Sequence, residues 1–308
     1  MSRRILITGG AGFIGSHLAG HVAGEAEVTV RDDLRSGYER NLAGAACRFL
    51  RGSILDESVL RAAAEGAEEI YHLAAMVSVP ESLAQPAECA LLNTEGTRRV
   101  LEAARRGGVR KVVLASSAAI YGDNPTVPKR ESMPPEPSSP YAATKLAGER
   151  LLEEYRVVHG LGTASLRFFN VFGPRQDPRS AYAAAVPIFI AKALRDEPLG
   201  IHGDGGQTRD FIHVTDVVGA LAFAGASPDM AGTYNVGYGA SESILGLAQE
   251  ILRLTASRSR LEHLPPRAGD VRHSLASTER ILAAGWRPRS SVKAGLAETV
   301  EYFRRLKA

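Results

Sequence analysis

The chain has 308 residues, of which 44% are hydrophobic, and its 37 basic and 34 acidic side chains give a net charge of +3. This length and apolar content allow a large buried core, in one large domain or two coupled ones. The charges form no long run of one sign and no basic patch with interleaved aromatics, so nothing indicates nucleic acid as a partner. The first residues, MSRRILITGG, predict neither a signal peptide nor a membrane span, and we expect a cytoplasmic protein.

Short apolar runs alternate with helical patterns through the first 170 residues. The runs expected to be strands are 3–9, 27–32, 47–52, 68–75, 110–117 and 163–170. Stretches such as 81–107 and 141–159 have helical periodicity. Strict alternation predicts an α/β fold with a doubly wound parallel Rossmann sheet, in a first domain over 1–170.

The glycine-rich segment TGGAGFIG follows the first expected strand and opens a helix. Its key glycines are Gly9, Gly12 and Gly15. Glycines here permit a tight turn and let a pyrophosphate approach backbone N–H groups at a helix N-terminus. Asp32, 17 residues beyond Gly15, lies near the offset of a carboxylate that binds the adenine-ribose hydroxyls. A 2′-phosphate would meet like charge at Asp32, so the pattern predicts that this first domain binds NAD rather than NADP. The neighbouring Arg31 and Arg35 leave NADP as the alternative.

Cysteine and histidine give no sign of a disulfide framework or a metal site. Cys47 and Cys89 are the only cysteines and stand in no metal-ligand spacing, so both are interpreted as buried small apolar residues. His17 and His21 stand at i, i+4 in an expected helix, without a Glu or a third ligand nearby. We interpret both as solvent-facing and expect no bound metal.

Two further motifs place a serine, a tyrosine and a lysine near the carboxyl edge of the sheet. LASSAAIYG ends the strand at 110–117 with Ser117 at that edge, where doubly wound folds bind ligands. In SPYAATK, a helix starting at Pro140 puts Tyr141 and Lys145 one above the other on one face. A free phenol titrates near pH ~10, so an adjacent ammonium and a bound nicotinamide's positive charge would favour the phenolate. Tyr141 could then take a proton from a sugar hydroxyl while the nicotinamide takes the hydride, with Ser117 hydrogen-bonding the oxygen.

Together with HLAA (72–75), these motifs resemble the extended short-chain dehydrogenase/reductase family, most closely its nucleotide-sugar 4-epimerases of the UDP-glucose/UDP-galactose type. The resemblance extends over nearly the whole chain and implies Ser117, Tyr141 and Lys145 as the catalytic residues. It implies these residues around NAD: Gly9, Gly12, Phe13, Ile14, Gly15, Asp32, Asp33, Ser36, Gly37, Ser53, Ile54, Leu73, Ala74, Ala75, Asn93, Tyr141 and Lys145. The chain has GSI where the family often has GDI, so Ser53 should hold the adenine amino group less firmly.

After residue 170 the pattern loosens, and we expect 171–308 to form mainly a smaller mixed α/β substrate lobe with some segments returning to the sheet. Helices are expected at 181–196, 214–226, 242–255 and 291–306, and short strands near 200 and at 207–212 and 233–237. The resemblance implies that a UDP-sugar contacts Ser117, Tyr141, Asn170, Val186, His202, Arg209, Arg267, Asp270 and Ser274. The planar guanidinium of an arginine pairs well with phosphate oxygens, which makes Arg209 and Arg267 sensible anchors for the diphosphate. Without the resemblance, Arg209 beside Asp210 would most simply be interpreted as a salt-bridged surface pair.

The resemblance implies C4 epimerisation of a UDP-hexose through a transient 4-keto sugar, with no net redox change. A 4,6-dehydratase or a UDP-glucuronate decarboxylase would need further acid or base groups where this chain has Ala118 and Ala119. Two alternatives remain, a dTDP-sugar 4-epimerase and a uronate 4-epimerase. A non-catalytic NAD-binding protein is disfavoured, because it would have no need of the serine, tyrosine and lysine set. In the family, the residue that matches Ser274 guards the pocket around the sugar's 2-substituent; because serine is small, the resemblance implies that N-acetylated UDP-sugars are accepted too.

A homodimer is also implied by the resemblance, because relatives commonly pair two helices per subunit into a four-helix interface. The helices expected at 81–107 and 141–159 carry apolar residues on more than one face: Leu91, Leu92, Val100, Leu101, Leu151, Leu152 and Val158. The same residues would also serve the core of a monomer.

Overall fold

The computed structural model describes residues 2–178, 184–266 and 271–307. Its strands are β1 (Arg3–Thr8), β2 (Ala26–Asp32), β3 (Cys47–Arg51), β4 (Glu69–His72), β5 (Lys111–Ser117), β6 (Gly162–Phe168), β7 (Asn170–Phe172), β8 (Leu199–His202), β9 (Thr208–Arg209), β10 (Phe211–His213), β11 (Gly232–Val236), β12 (Glu242–Ser243) and β13 (Leu261–Leu264). Its helices are α1 (Phe13–Val22), α2 (Glu57–Ala64), α3 (Val79–Ala84), α4 (Pro86–Ala90), α5 (Gly96–Gly107), α6 (Pro140–His159), α7 (Ala185–Ala193), α8 (Val214–Ala226), α9 (Ile244–Thr255), α10 (Glu279–Ala283) and α11 (Val292–Lys307).

Within the described residues, seven parallel strands form the central sheet in the order β3-β2-β1-β4-β5-β6-β11. Strands β1 to β6 each overlap one of the six predicted runs, although β4 ends at His72 and the run at 163–170 extends into β7. The doubly wound parallel fold is confirmed. Strand β11 comes from the chain after residue 170, so the sheet takes one strand from the carboxyl-terminal half. The strand order reverses beside β1, and in such sheets a crevice for ligands opens at the carboxyl ends of the strands.

Both faces of the sheet are covered by helices, which explains why its strands read as continuous apolar runs. Alternate residues of β1 show this, because successive side chains of a strand point to opposite faces. Ile5 and Ile7 pack in the same buried cluster as Leu18 of α1 and Leu221 of α8. Leu6 belongs to a second cluster with residues of α2, α5 and α6.

The carboxyl-terminal lobe is smaller and mixed, and it lies over one end of the sheet. Two-stranded pairings join β7 to β10 and β8 to β13 in parallel, and β9 to β12 in antiparallel. Phe189 of α7, Leu247 of α9 and Leu296 of α11 meet in its core. Strand β13 and helix α10 were not predicted, and the mostly exposed sequence LEHL of β13 offers little apolar signal.

The helix expected at 81–107 is not a single one, because it is interrupted once: α3 ends at Ala84, and a continuous helical stretch then extends from Pro86 through α4, a π-helical turn at Leu91–Glu95 and α5 to Gly107. Proline has no N–H to donate, and it disfavours helical backbone in the residue before it. Gln85, which precedes Pro86, has φ −133° and ψ 60°, and the helix is interrupted there.

Two side-chain expectations are also wrong. His17 is not solvent-facing: its Nε2 lies 2.9 Å from the carbonyl oxygen of Pro174, and burial lowers the pKa of its imidazole to about 4. Cys47 is only half-buried because β3 lies at the edge of the sheet, whereas Cys89 is fully buried as expected. In the described parts of the chain, no helix combines the length and apolar character needed to cross a membrane.

Candidate active site

A cavity of about 1120 Å³ lies at the carboxyl ends of the central strands, between the sheet and the carboxyl-terminal lobe. The residues predicted from the sequence that line it are Gly9, Gly12, Phe13, Ile14, Gly15, Asp32, Asp33, Ser36, Ile54, Leu73, Ala74, Ala75, Ser117, Tyr141, Lys145, Asn170, Val186, His202 and Arg209. One cavity therefore brings together most residues expected around cofactor, reacting carbon and substrate.

Four other predicted residues do not line this cavity. Gly37 packs on the glycine loop, where an added Cβ would lie 2.8 Å from the Ala11 carbonyl carbon. Ser53 uses its hydroxyl oxygen to accept from Leu55 N at 3.2 Å. Ser274 donates its backbone N–H to Thr208 at 3.1 Å.

Asn93 is the fourth, and its side chain lies buried beneath the cavity wall. Its carboxamide oxygen accepts from Met76 N at 2.7 Å, and its Nδ2 donates to Thr144 Oγ1 at 3.0 Å. The side chain thus ties the loop after β4 to helix α6. Two further predicted residues, Arg267 and Asp270, lie outside the described residues.

The loop between β1 and α1 has the shape that a dinucleotide pyrophosphate needs. Gly9 has a φ of +72°, and an added Cβ there would lie 2.5 Å from Ala74 N. A Cβ on Gly15 would lie 2.2 Å from the Gly9 carbonyl oxygen. Only glycine fits at both positions, and the resulting groove leads to the N-terminus of α1, which suits a diphosphate.

The end of β2 bears on the choice between NAD and NADP. Asp32 accepts hydrogen bonds from Ala11 N at 2.9 Å and Leu34 N at 2.8 Å, and burial raises the pKa of its carboxyl group. Arg31 is buried and donates to the Ser53 carbonyl at 3.0 Å, while Arg35 forms an ion pair with Glu88. Both arginines line this end of the cavity together with Asp32 and Asp33, but each arginine already binds another group.

Ser117 is the last residue of β5, Tyr141 lies in the first turn of α6, and both line the cavity. The Ser117 hydroxyl accepts from Ala119 N at 3.1 Å and starts a 3-10 turn over Ala118–Tyr121. Helix α6 begins at Pro140, as the sequence predicted, and the Ser139 hydroxyl caps it by accepting from Ala142 N at 3.2 Å.

Electrostatics in this part of the cavity are set by burial. Burial raises the pKa of the Tyr141 phenol, and a hydrogen bond between its side chain and that of Ser117 acts in the opposite direction. Lys145 Nζ donates to the Ala115 carbonyl at 2.9 Å and lies 5.7 Å from the centroid of the Tyr141 ring. Burial lowers the pKa of Lys145 to about 8. A positive charge bound beside Tyr141 would therefore be needed to favour its phenolate at neutral pH.

Arg209 and Asp210 do not form the surface pair that the sequence left open. Asp210 is fully buried, and its carboxylate accepts from Tyr238 N at 2.7 Å, Gly239 N at 3.0 Å and Ala276 N at 3.1 Å. Burial raises its pKa to about 6 against those three donors. Arg209 lines the cavity instead, on the side formed by the carboxyl-terminal lobe.

Several lining residues were missed from the sequence, among them Tyr38, Gln176, Asp177, Phe189, Lys192 and Gln207. Tyr38 Oη donates to Asp177 Oδ2 at 2.6 Å, which joins the loop after β2 to the segment after β7 in the cavity lining. The segment GPRQDP was a usable signal for Gln176 and Asp177, because it directly follows the strand that carries Asn170.

Comparison with known proteins agrees with this site. The model of the NAD dependent epimerase/dehydratase family matches residues 5–237. The chain belongs to this family. It is 41% identical to a UDP-glucose 4-epimerase of Mycolicibacterium smegmatis, over 98% of each chain. It is therefore an enzyme of the extended short-chain dehydrogenase/reductase type that its motifs resembled.

Two solved structures are similar over almost the whole length of this family member. A UDP-N-acetylglucosamine 4-epimerase from Methanobrevibacter ruminantium, in complex with UDP-N-acetylmuramic acid, has a TM-score of 0.96 and 36% identity, covering 99% of each chain. The UDP-glucose 4-epimerase of Thermus thermophilus, in complex with NAD, has a TM-score of 0.90 and 37% identity, covering 98% of this chain and 99% of its own. NAD is the cofactor of the present enzyme, and its glycine loop and Asp32 fit that group.

Proposed function

We propose that this enzyme interconverts UDP-hexoses at C4 through a transient 4-keto sugar. The observation that carries the proposal is the presence of Ser117, Tyr141 and Lys145 in one cavity with the glycine loop. That cavity continues into a half built by the carboxyl-terminal lobe, with Arg209 and His202 in its lining, and is large enough for a nucleotide sugar beside a dinucleotide.

Proton transfer in this proposal belongs to Tyr141. When bound, NAD supplies the acceptor, and then the donor, of the hydride at the sugar carbon. Tyr141 removes the proton from the C4 hydroxyl and later returns it to the same oxygen, while Ser117 holds that oxygen by a hydrogen bond. Lys145, fixed on the Ala115 carbonyl, keeps an ammonium near the phenol and would also hold the nicotinamide ribose.

The substrate's diphosphate is assigned to Arg209, with Asn170, at the start of β7, also in the cavity lining. A guanidinium pairs with two phosphate oxygens at once, so the diphosphate can be held while the hexose is left free to turn over. His202, on β8, offers an imidazole face for the uracil.

Dehydration of the sugar is disfavoured by the groups beside Ser117. Ala118 and Ala119, which follow it directly, carry no group that can transfer a proton. Tyr121 is buried with its hydroxyl donating to Asn235 Oδ1 at 2.6 Å, so it is committed to a structural hydrogen bond. Loss of water from C5 and C6 would need a further acid and base, and these positions supply none.

We expect the purified protein to convert UDP-galactose and UDP-GalNAc into their C4 epimers with no net reduction of NAD. The measurement is NMR identification of the sugars, with and without added NAD. A 4-keto-6-deoxy product would instead indicate a dehydratase. If neither sugar were turned over, the proposal would be contradicted.

The small side chain of Ser274 is the reason to expect acetamido sugars as substrates. Ser274 does not itself line the cavity, but its backbone N–H bonds to the carbonyl of Thr208, next to Arg209 in the cavity lining. We therefore expect Ser274→Tyr to extend a ring into the space for the 2-substituent, to abolish turnover of UDP-GalNAc and to preserve that of UDP-galactose. Ser259→Tyr, on the loop between α9 and β13, is the matched control. Equal loss of both sugars in the Ser274 variant would contradict this assignment.

We also infer a homodimer that pairs α6 and the α3–α5 region of two subunits. Exposed apolar side chains in this region are Val79, Leu83, Leu91, Val157 and Val158. Light scattering after gel filtration should give about twice the 32.8 kDa of one chain. Leu83→Glu should lower the mass to one chain, whereas Val127→Glu, at an exposed valine elsewhere, should not; a wild-type monomer would contradict the inference.

A further inference from the structure

A buried ion pair lies directly behind Tyr141 and Lys145. Glu149 of α6 accepts from Arg167 Nε at 2.9 Å and from Arg167 Nη2 at 2.7 Å, and both side chains are almost fully buried. Glu149 Oε1 also accepts from the Ser116 hydroxyl at 2.6 Å. Each of these hydrogen bonds connects α6 to β5 or to β6.

The position of Glu149 repeats the spacing of the two residues assigned to proton transfer. Tyr141, Lys145 and Glu149 follow one another at i, i+4 and i+8 on α6, so they share one helix face. On β5, three consecutive residues meet that face. Hydrogen bonds join Lys145 to Ala115 and Glu149 to Ser116, and the Ser117 side chain acts on the pKa of the Tyr141 phenol.

Arg167 is itself fixed from two further sides. It lies on β6 opposite Ser116 in the parallel register, and its guanidinium carbon lies 4.8 Å from the centroid of the Tyr121 ring. Tyr121 donates to Asn235 of β11 at 2.6 Å. The Arg167 guanidinium that donates to Glu149 is therefore held in place by contacts within the sheet.

A buried ion pair is a poor source of net stability, because desolvation offsets most of the attraction between the charges. Apolar side chains of the same volume would pack α6 on the sheet equally well, but without directional bonds. Two parallel hydrogen bonds to a guanidinium fix the helix in direction and along its axis. This arrangement suits a site in which a shift of about 1 Å can cost on the order of 100-fold in rate.

We propose that Glu149, held by Arg167 and Ser116, is a positioning residue that fixes α6 against the carboxyl end of β5 and so sets Tyr141 and Lys145 relative to Ser117. This inference rests on the proposed function. Charge supports it: the Glu149 carboxylate raises the pKa of Lys145, against the larger effect of burial. The other titratable groups that face the ammonium are Cys89 of α4, His72 of β4 and Tyr141.

The test replaces the pair by apolar side chains of similar size. Glu149→Gln alone would leave Arg167 buried without its counter-charge, so folding itself is at risk. Glu149→Met with Arg167→Met removes both charges and retains the volume. We expect a melting temperature close to that of the wild type, with kcat for UDP-galactose lower by roughly 10- to 100-fold. Glu153→Gln, one turn further along α6 and exposed, is the control and should keep wild-type kcat.

The pH profile separates positioning and charge from simple packing. Because Glu149 raises the pKa of Lys145, its removal lowers that pKa, and the ammonium is lost at lower pH. Arg167 is not among the groups that shift the pKa of Lys145, so the alkaline limb of kcat should move to lower pH in the double variant as well. Ultraviolet titration of the NAD-bound protein, with Tyr141→Phe as reference, should show a changed phenolate titration even without turnover.

A stable double variant with wild-type kcat, alkaline limb and phenolate titration would overturn the proposal. If the double variant does not fold, Ser116→Ala is the alternative test of the proposal. It removes the hydrogen bond from Ser116 to Glu149 and leaves the Glu149–Arg167 ion pair intact. We expect it to lower kcat severalfold, and unchanged kcat and titration would again count against positioning. An inactive wild type would refute the proposed function alone, since the phenolate titration still tests the inference.

Discussion

Tyr141→Phe is expected to lower kcat for UDP-galactose epimerisation by about 10²- to 10⁴-fold, the usual contribution of a general acid or base. The variant loses the hydroxyl that exchanges a proton with the sugar oxygen but retains the ring that packs in the cavity wall. NAD binding should therefore change little. Steady-state kinetics and the NAD content of the purified variant are the two measurements.

The matched control is Tyr155→Phe, on the same helix. Tyr155 is buried outside the cavity, and its hydroxyl makes a long hydrogen bond of 3.5 Å to Glu102. This variant should keep wild-type kcat, because it loses a similar hydroxyl without touching the site. Retention of more than half of the wild-type kcat in Tyr141→Phe would remove Tyr141 from the mechanism.

Gly15→Ala is expected to weaken NAD binding by about 100-fold, near the upper end of the 1–3 kcal/mol that overpacking typically costs. The added Cβ would lie 2.2 Å from the Gly9 carbonyl oxygen and 2.7 Å from Gly10 Cα. Both neighbours are backbone atoms, so the turn must move, and its groove for the pyrophosphate changes shape. Calorimetric titration of the cofactor-free protein with NAD measures the loss.

Gly20→Ala is a control of the same chemistry on the same helix. An added Cβ at Gly20 meets no atom within 4 Å. The variant should bind NAD normally and gain about 0.5–1 kcal/mol in unfolding free energy, since alanine favours helix over glycine. Wild-type NAD affinity in Gly15→Ala would show that the turn has more freedom than its contacts indicate.

Much of the site follows from local rules that a sequence already contains. Two residues four apart on a helix share a face, so the spacing of Tyr141 and Lys145 decided their proximity once Pro140 began the helix. The expected helix at 214–226 matches α8 for the same reason, since apolar periodicity is a local property. Glycines after an apolar strand likewise predicted the loop at the N-terminus of α1.

Local rules failed where a partner lies far along the chain. Asp210 looked like half of a surface pair, yet its three donors come from residues 28 to 66 positions away. His17 looked solvent-facing, yet its partner is the carbonyl of Pro174.

The sequence by itself determined the parallel sheet, the glycine turn and the helix face that carries Tyr141 and Lys145, because each depends on periodicity or spacing over a few residues. Only the tertiary structure decided which groups stand behind that face. Glu149 meets Ser116 and Arg167 because β5 and β6 are neighbours in the sheet, in a register that sets Ser116 opposite Arg167. Which strands become neighbours is decided when the whole chain packs, and the register between them follows from the faces that are then buried, so the spacing of a few residues on α6 could not reveal this contact.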